Sequence, residues 1–394
     1  MIEIKDKKDC CGCSACAQIC PKNSITMKTD DEGFLYPAVN KDTCVNCGLC
    51  GKICPVLNKP AVNKPLAIYA AKHKDTEVKL KSSSGGMFTA LAEYILKQGG
   101  VVFGAAFDKD WQVCHQWAEN IEDLDKLRRS KYVQSDINAT YKKAEEFLKS
   151  GRQVLFTGTP CQIAGLKNYL RKDYDNLLTA DIFCHGVPSP AVWAKFLKET
   201  YHAEDISFID FRFKRFGWDS SYLNITLKNG KELSGPNGIF KLFTPLFKAK
   251  GGKLWRKVYR LPFSISNLYE RPSCHACAFK GPEKTADFTM ADLWGVHQIK
   301  PDFYDNTGVS VLLTNTEKAA KIFENLKDNL VYSALSYEDM VKYNPYFIKS
   351  VSPSPKRAEF FRRYKTENFY GLLNSFKPLK DQIFRLICKL SGGK

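Results

Sequence analysis

No apolar run in this chain approaches the ~18 residues that cross a bilayer as a helix, so no membrane span is expected. The opening Met1-Ile2-Glu3-Ile4-Lys5-Asp6 has no apolar stretch before the first cysteines, so no secretory signal is read and a cytoplasmic protein is expected. No Gly-x-Gly-x-x-Gly follows any predicted strand, which argues against a standard dinucleotide fold. Zinc-finger spacing, a basic zipper and an RNA-binding aromatic signature are also missing, so nucleic acid is not an expected partner. Acidic residues are short: 42 Asp and Glu face 59 Lys and Arg, for a formal net charge of +17.

Cysteine is in surplus, with 15 residues. Without an export signal, their spacing reads as a metal site rather than a disulfide framework. Cys10-x-x-Cys13-x-x-Cys16-x-x-x-Cys20-Pro21 recurs as Cys44-x-x-Cys47-x-x-Cys50-x-x-x-Cys54-Pro55, offset by 34 residues at every matching cysteine. Four thiolates bind a cubane cluster, and in this pattern the cysteine before proline crosses to the other cluster. One [4Fe–4S] cluster is therefore expected on Cys10, Cys13, Cys16 and Cys54, and a second on Cys44, Cys47, Cys50 and Cys20. Zinc also takes four cysteines, but the tripled spacing with its proline, present twice, disfavours it. Cys11 is an extra thiol inside the first run and is not expected to be a ligand. Two adjacent clusters pass single electrons and do no chemistry on organic substrates by themselves.

The chain divides into a ferredoxin-like module at 1–58, a linker at 59–65, a larger domain at 66–350 and a basic helical tail at 351–394. The expected fold class is α+β / α/β: a two-cluster module followed by a mixed-sheet α/β domain, in parts of about 66–150 and 151–350. In the first module, Ile25-Thr26-Met27 and Phe34-Leu35-Tyr36 flank Asp30-Asp31-Glu32-Gly33, which predicts a hairpin. In the larger domain, strands alternate with loops and helices, so part of its sheet should be parallel; Thr157 to Cys161 reads as a loop before a helix from Gln162 to Leu170, Ser189 as the cap of a helix from Pro190, and Asn229-Gly230 as a hairpin turn. Ser82-Ser83-Ser84-Gly85-Gly86 opens a predicted helix, where free N–H groups and hydroxyls would make an anion site suited to a flavin phosphate. A Ser/Gly helix cap is the plainer alternative. Cys161 and Cys184 lie just past predicted strand ends, where open α/β sheets place cofactors. With Cys274-His275-Ala276-Cys277 they number four, the count for one more cubane. The alternative is two buried small residues and an isolated zinc half-site or redox pair. Cys114 and Cys388 have no partner pattern.

Positive charge gathers in two segments. Residues 241–284 hold ten Lys and Arg against Glu270 and Glu283, and residues 355–394 hold ten against Glu359, Glu367 and Asp381. Such patches attract a small anionic substrate, an acidic protein or an anionic membrane face. In the tail, Leu379, Ile383, Leu386, Ile387 and Leu390 share one helical face, which suits either peripheral membrane contact or docking on the protein's own core.

Taken in order, Ser83-Ser84-Gly85-Gly86, Ser130-Lys131-Tyr132-Val133-Gln134-Ser135, Gly158-Thr159-Pro160-Cys161-Gln162, Cys184-His185-Gly186-Val187-Pro188-Ser189, Cys274-x-x-Cys277 and Ala286 to Gly295 resemble the coenzyme F420 hydrogenase/dehydrogenase β-subunit family, here fused to a two-cluster ferredoxin. The resemblance implies FAD, with Ser84, Gly85, Gly86, Lys131, Tyr132 and Gln134 lining it, and a third [4Fe–4S] cluster on Cys161, Cys184, Cys274 and Cys277. It also implies a partner that gives or takes electrons, either a protein or a reduced coenzyme such as a deazaflavin. Bacterial members with this ferredoxin often belong to polysaccharide-synthesis gene sets. The expected activity is that of an iron–sulfur flavoprotein oxidoreductase, with Lys131, His185 and Asp292 as candidates for tuning the flavin or moving protons. The alternative is a non-autonomous electron-transfer subunit. Protein prepared without oxygen should carry at least about eight irons on the twin runs; zinc in their place, with no visible absorption bleached by dithionite, would refute that expectation.

Overall fold

Each cysteine run bends through two left-handed residues. In the first run these are Gly12 (φ 72°) and Ser14 (φ 60°); at the matching places in the second they are Asn46 (φ 51°) and Gly48 (φ 72°). The sequence repeat is thus a repeat of backbone conformation, in which glycine or asparagine relieves most of the steric cost of positive φ. In the computed structural model, helix α1 (Ala15–Ile19) lies within the first run and carries Cys16, strands β1 (Ile25–Thr29) and β2 (Leu35–Val39) pair antiparallel, and helix α2 (Leu49–Lys52) lies within the second run and carries Cys50. The predicted turn forms as expected: Asp30 Oδ1 accepts from the N–H groups of Glu32 (3.0 Å) and Phe34 (2.9 Å). The structure describes all residues except 216, 220, 221, 237–266 and 377–394. Most of the basic segment that begins at 241, the apolar face from Leu379 to Leu390, and Cys388 lie outside the described residues.

Beyond the linker come β3 (Ala67–His73), helices α3 (Thr76–Leu80) and α4 (Met87–Leu96), β4 (Val101–Phe107), β5 (Val113–Ala118), α5 (Thr140–Lys149), β6 (Val154–Gly158), α6 (Pro160–Leu170), β7 (Leu177–Ile182) and α7 (Pro190–Thr200). Strands β8 (Ile206–Phe213), β9 (Tyr222–Leu227) and β10 (Glu232–Pro236) form a separate antiparallel sheet, with the predicted turn at Asn229-Gly230 (Gly230 φ 79°). Strands β11 (Phe288–Asp292), β12 (Ser310–Thr314) and β13 (Leu330–Ala334) complete the main sheet. Its order is β13-β3-β12-β11-β7-β6-β4-β5, and β11, β7, β6 and β4 are mutually parallel. Their carboxyl ends therefore open on one edge, and Cys161, Cys184 and Asp292 all stand there. The sequence predicts Cys161 in a loop, but it sits in the first turn of α6. Thr159 and Gln162 form a capping box and Pro160 takes the first helical position, so the helix starts two residues early. Ser189 caps α7 as predicted, accepting from Val192 N at 3.3 Å.

The ferredoxin-like module shares a core with the main sheet: Ala15, Cys16 and Ile53 bury with Tyr141, Phe156 and Ile163. Helices at Arg357–Tyr364 and Phe369–Ser375 cover the second sheet, burying Phe360, Phe369, Leu372 and Leu373 with Trp193 and Phe196 of α7. The tail thus docks on its own core as far as residue 376. Among the described residues no helix is long and apolar enough to cross a membrane.

The module is pinned at its hairpin. Gly33 packs so closely on α7 that an added Cβ would stand 2.3 Å from Ala191 Cβ. Arg357 forms a bidentate pair with Glu32 (2.7 and 2.5 Å). Arg271, fully buried, donates to Cys10 O (2.8 Å), Leu35 O (2.9 Å) and Gln134 Oε1 (2.9 Å) and lies 4.3 Å from the Tyr36 ring. Replacing Arg271 with Met leaves three buried acceptors without their donor. The expected loss is about 3–5 kcal/mol. It should be read as faster limited proteolysis within residues 59–65 and a lower denaturant midpoint; wild-type behaviour in both would show that Arg271 does not pin the module.

Candidate functional site

The twin runs place their thiols in two groups. Cys20, Cys44, Cys47 and Cys50 line one cavity beside Met1, Ile25 and Leu49. Cys10, Cys16 and Cys54 lie within electrostatic reach of one another, and burial first and then these neighbours push the Cys16 thiol up to about 12. Backbone N–H groups point at sulfur: Ile2 N at Cys50 Sγ (3.2 Å) and Ser24 N at Cys20 Sγ (3.3 Å). Arg271 Nη2 stands 3.6 Å from Cys10 Sγ. Such donors stabilise thiolate sulfur and tune a bound cluster. Among the described residues no three His, Cys, Asp or Glu side chains close on a single-ion point. Cys20, Cys44, Cys47 and Cys50 ring a cavity instead, which is what a cluster of several metal atoms needs.

A cavity of about 230 Å³ lies at the parallel sheet edge, between the ferredoxin-like module and the main sheet. Cys161, Cys184, Cys274 and Cys277 all line it. They come from three separate stretches of chain: the start of α6, the loop after β7, and the short turn Pro272–Ala276 with its end. Burial pushes the Cys184 thiol up to about 12 and the Cys274 thiol well above its ordinary range. The Cys11 thiol, then burial, raises Cys161 likewise. Four such thiols do not ionise together unless a cation core neutralises them, so the donor set fits a [4Fe–4S] cluster. Val187 N donates to Cys274 Sγ (3.4 Å), and Thr159 Oγ1 is 3.2 Å from Cys161 Sγ. Two cations share the cavity wall. Lys280 Nζ donates to the carbonyls of Cys184 and Tyr346, and Lys284 lies 4.0 Å from the Phe347 ring. His185 is here too, its ring 4.3 Å from that of Tyr346. Burial and the Lys280 charge hold its pKa down at about 4, so the imidazole is neutral.

The serine hydroxyls of the Ser/Gly helix start bond within the protein. Ser82 Oγ donates to Val78 O (2.7 Å), Ser84 Oγ donates to Val309 O (2.8 Å), and Ser83 Oγ accepts from Ser130 N (2.7 Å). Gly85 N donates to Ser310 Oγ (2.9 Å), and a Cβ there would stand 2.7 Å from Ala71 O. Gly86 takes φ 93°. These residues are small because the loop crosses β3 and β12 at close quarters, and its serine hydroxyls and the Gly85 N–H bond within the protein. Gln134 is also committed elsewhere: its amide bridges Cys11 O (3.0 Å) and Arg271.

What gathers beside the loop is positive charge. Arg212 Nη2 donates to Ser83 O (3.2 Å), and Arg212 Nη1 donates to Asp292 Oδ2 (2.8 Å) and the Tyr132 hydroxyl (3.3 Å). Lys214 Nζ donates to Ser84 O (2.9 Å) and Lys79 O (2.7 Å). Lys131 Nζ donates to the carbonyls of Lys126 (2.9 Å), Arg128 (2.7 Å) and Arg129 (3.2 Å). Burial, reinforced by Arg129, lowers Lys131 to about 7; burial and then Arg212 lower Lys214 to about 7. Arg129 pairs with Asp210 and Arg212 with Asp292, and Lys131 and Lys214 lie within reach of the same charges. A cluster of this sign can attract an anionic group. Ser83, Tyr132 and Asp292 therefore meet around Arg212 and Ser84 bonds Lys214, whereas His185 stands at the thiol cavity. Arg212, Lys214, Arg271, Lys280 and Lys284 escaped sequence reasoning. For Arg212 a signal existed: it sits at a buried position of a strand, beside buried Asp210.

Family models match in three stretches. A 4Fe–4S dicluster domain matches residues 9–58, the N-terminal model of the coenzyme F420 hydrogenase/dehydrogenase beta subunit matches 68–142, and its C-terminal model matches 151–339. The coenzyme F420-dependent sulfite reductase of Methanocaldococcus jannaschii is 25% identical over 378 residues, which is 94% of this chain and 54% of that protein. The chain thus spans about half the length of this relative. The coenzyme F420 hydrogenase subunit beta of Methanosarcina barkeri is 23% identical over 227 residues, 56% of this chain and 69% of that subunit. Among solved structures, a chain of the xenon-derivatised F420-reducing [NiFe] hydrogenase complex of Methanosarcina barkeri overlaps 80% of this chain and 94% of its own, at 17% identity and a TM-score of 0.46, a likeness too loose to bear on the site. Together the cysteine runs and the matched stretches identify an iron–sulfur oxidoreductase-type protein that belongs to the coenzyme F420 hydrogenase/dehydrogenase beta-subunit family, with a 4Fe–4S dicluster domain ahead of it.

Proposed function

We propose that this chain is an iron–sulfur flavoprotein that relays electrons between ferredoxin-type clusters and FAD in order to reduce or oxidise a small molecule. The observation that carries the reading is the cavity where Cys161, Cys184, Cys274 and Cys277 meet beside the first cysteine run. Cys10, Cys13, Cys16 and Cys54 would hold one cluster; Cys20, Cys44, Cys47 and Cys50 would hold the second; the cavity cysteines would hold the third. When bound, clusters supply single-electron transfer and a flavin exchanges single electrons for pairs. The chain's own residues position and tune these groups. Lys280 and Lys284 place positive charge beside the cavity thiolates, which favours the more negative, reduced form of whatever they bind. Arg212 and Lys214, with Lys131 and Tyr132, offer the flavin diphosphate its counter-charge, and Asp292 orients Arg212. His185, neutral and at the cavity, can accept a proton only from a group that reaches Cys184, so Lys131 and Asp292 stand nearer the proposed flavin chemistry.

The relatives are named for coenzyme F420, so a deazaflavin is the first hydride partner to test. A small anionic substrate of polysaccharide synthesis is the second. The rival reading, a subunit that serves a catalytic partner, is favoured by one observation: the chain matches 54% of the sulfite reductase's length, so a larger enzyme contains this unit. An autonomous enzyme turns over a small molecule with an artificial one-electron dye; a subunit does not.

Full-length protein prepared without oxygen should hold about twelve irons, and Cys274→Ser should lower the count by up to about four. About eight irons in both proteins would remove the third cluster. Denaturation should release about one flavin per chain, as the cofactor assignment requires. Because Lys131 and Lys214 lose their charge as pH rises through about 7, flavin retention should fall from about pH 6 to about pH 9. Free-flavin fluorescence measures this, and retention that is flat or rises with pH would detach the lysines from the flavin.

A further inference from the structure

The repeat gives the chain two copies of one ligand loop, and the larger domain covers only the first. At the 34-residue offset, Cys11, Gly12 and Cys13 correspond to Val45, Asn46 and Cys47. Cys11 is 8% exposed and Cys13 7%, whereas Val45 is 56% exposed and Cys47 is exposed as well. A Cβ on Gly12 would stand 2.7 Å from Arg271 Nη1, and one on Gly165 of α6 would stand 2.9 Å from Cys13 Cβ. On the second loop, a Cβ on Gly48 or Gly51 would meet nothing within 4 Å. The first loop is thus sealed against the larger domain. The second faces outward, and Met1, Lys22 and Val45 line its cavity with Cys20, Cys44, Cys47 and Cys50.

Charge is sorted in the same way. Residues 1–58 hold seven Lys and seven Asp and Glu, so the module is neutral in sum. Its carboxylates gather at the hairpin and before the first run. Asp30 pairs with Lys7 (2.6 Å), Asp31 with Lys365 (3.1 Å), Glu32 with Arg357, and Asp6 with Lys8 (2.8 Å). Around the second loop stand Lys22, Lys41 and Lys52, all exposed. Lys41 lies three residues before Cys44, and Lys52 ends α2, which carries Cys50. Asp42 is the one carboxylate in residues 40–54. Exposed apolar Val45 and Met1 therefore sit among cations.

We propose that the second loop is the docking site for an acidic one-electron carrier protein, whose carboxylates meet Lys22, Lys41 and Lys52 and whose redox group approaches Val45 and Cys47. The proposal rests on the two-cluster reading above and adds the kind of partner that reaches it. Complementary charge speeds encounter and orients the pair, and a small apolar centre with a charged rim suits a short-lived complex. Each encounter moves one electron, with the carrier losing what this chain gains or the reverse.

The probe is flavodoxin, an acidic protein that carries electrons singly. Full-length protein prepared without oxygen is reduced with dithionite, freed of the excess and mixed with oxidised flavodoxin. The appearance of flavodoxin semiquinone gives a second-order rate constant. That constant should fall about tenfold or more between about 20 mM and about 300 mM salt. The triple variant Lys22→Gln, Lys41→Gln, Lys52→Gln should lose about tenfold in rate at low salt with its iron content unchanged. Removing equal charge at three exposed lysines elsewhere, by Lys97→Gln, Lys142→Gln and Lys321→Gln, should leave the rate near wild type. Carbodiimide coupling of the two proteins should place cross-links on Lys22, Lys41 or Lys52. A rate indifferent to the first triple variant overturns the proposal. Cross-links confined to other lysines do so too, as does a bleached protein that passes no electron to flavodoxin. If the triple variant loses iron, the salt dependence and cross-links of wild type decide. Wild type with no absorption bleached by dithionite is a different failure, that of the cluster reading, and takes the proposal with it.

Discussion

A fully buried guanidinium, that of Arg271, holds the two halves of the protein in register. Its donors reach Cys10 O and Leu35 O in the ferredoxin-like module and Gln134 Oε1 in the larger domain. A buried cation is tolerated only where its donors are satisfied and opposite charge is near. Carbonyls and the Tyr36 face supply part of this, and the Cys10 sulfur at 3.6 Å becomes the counter-charge once it is a thiolate. Arg271 in turn lowers the Cys10 thiol against the effect of burial. Docking and thiolate formation therefore support each other. Because Pro272–Ala276 begins at the next residue, the same side chain also sets where Cys274 stands.

The second organising constraint is the parallel run β4, β6, β7 and β11. Parallel strands open their carboxyl ends on one edge, and ligands collect there because loops and helix starts leave polar groups free. Cys161 and Cys184 reach the thiol cavity from β6 and β7, while Asp292 ends β11 and meets Arg212 from the smaller sheet. One sheet edge thus carries two chemically distinct places. The first is a ring of thiols with Lys280 and Lys284 in its wall; the second is a cluster of cations with too few carboxylates. The first suits an anionic metal cluster made from thiolates. The second suits an anionic organic cofactor.

The hydrophobic effect places the ferredoxin-like module. Cys16, Ala15 and Ile53 bury with Phe156, Ile163 and Tyr141 in one continuous core, so the module is not a bead on a linker. At the other side of the domain, Phe360, Phe369, Leu372 and Leu373 of the tail bury with Trp193 and Phe196. That part of the tail is committed to its own core.

The sequence by itself determined the two ligand runs, because each is local: cysteines three apart, a left-handed residue between them and a proline after the fourth set one loop without help from elsewhere. The hairpin at Asp30–Gly33, the Ser189 cap and the Asn229-Gly230 turn were legible for the same reason, each being decided by side chains bonded to backbone within a few residues. The start of α6 was misread because its capping box spans Thr159 to Gln162 and takes Cys161 inside the helix. Only the tertiary structure decided that Cys161, Cys184, Cys274 and Cys277 face one cavity, that Cys11 joins them, and that Gln134 and the serine hydroxyls of the Ser82–Gly86 loop bond within the protein. Those facts depend on strand order and on contacts between residues more than a hundred positions apart, such as Gln134 with Cys11 and Arg271, and local pattern carries no record of them.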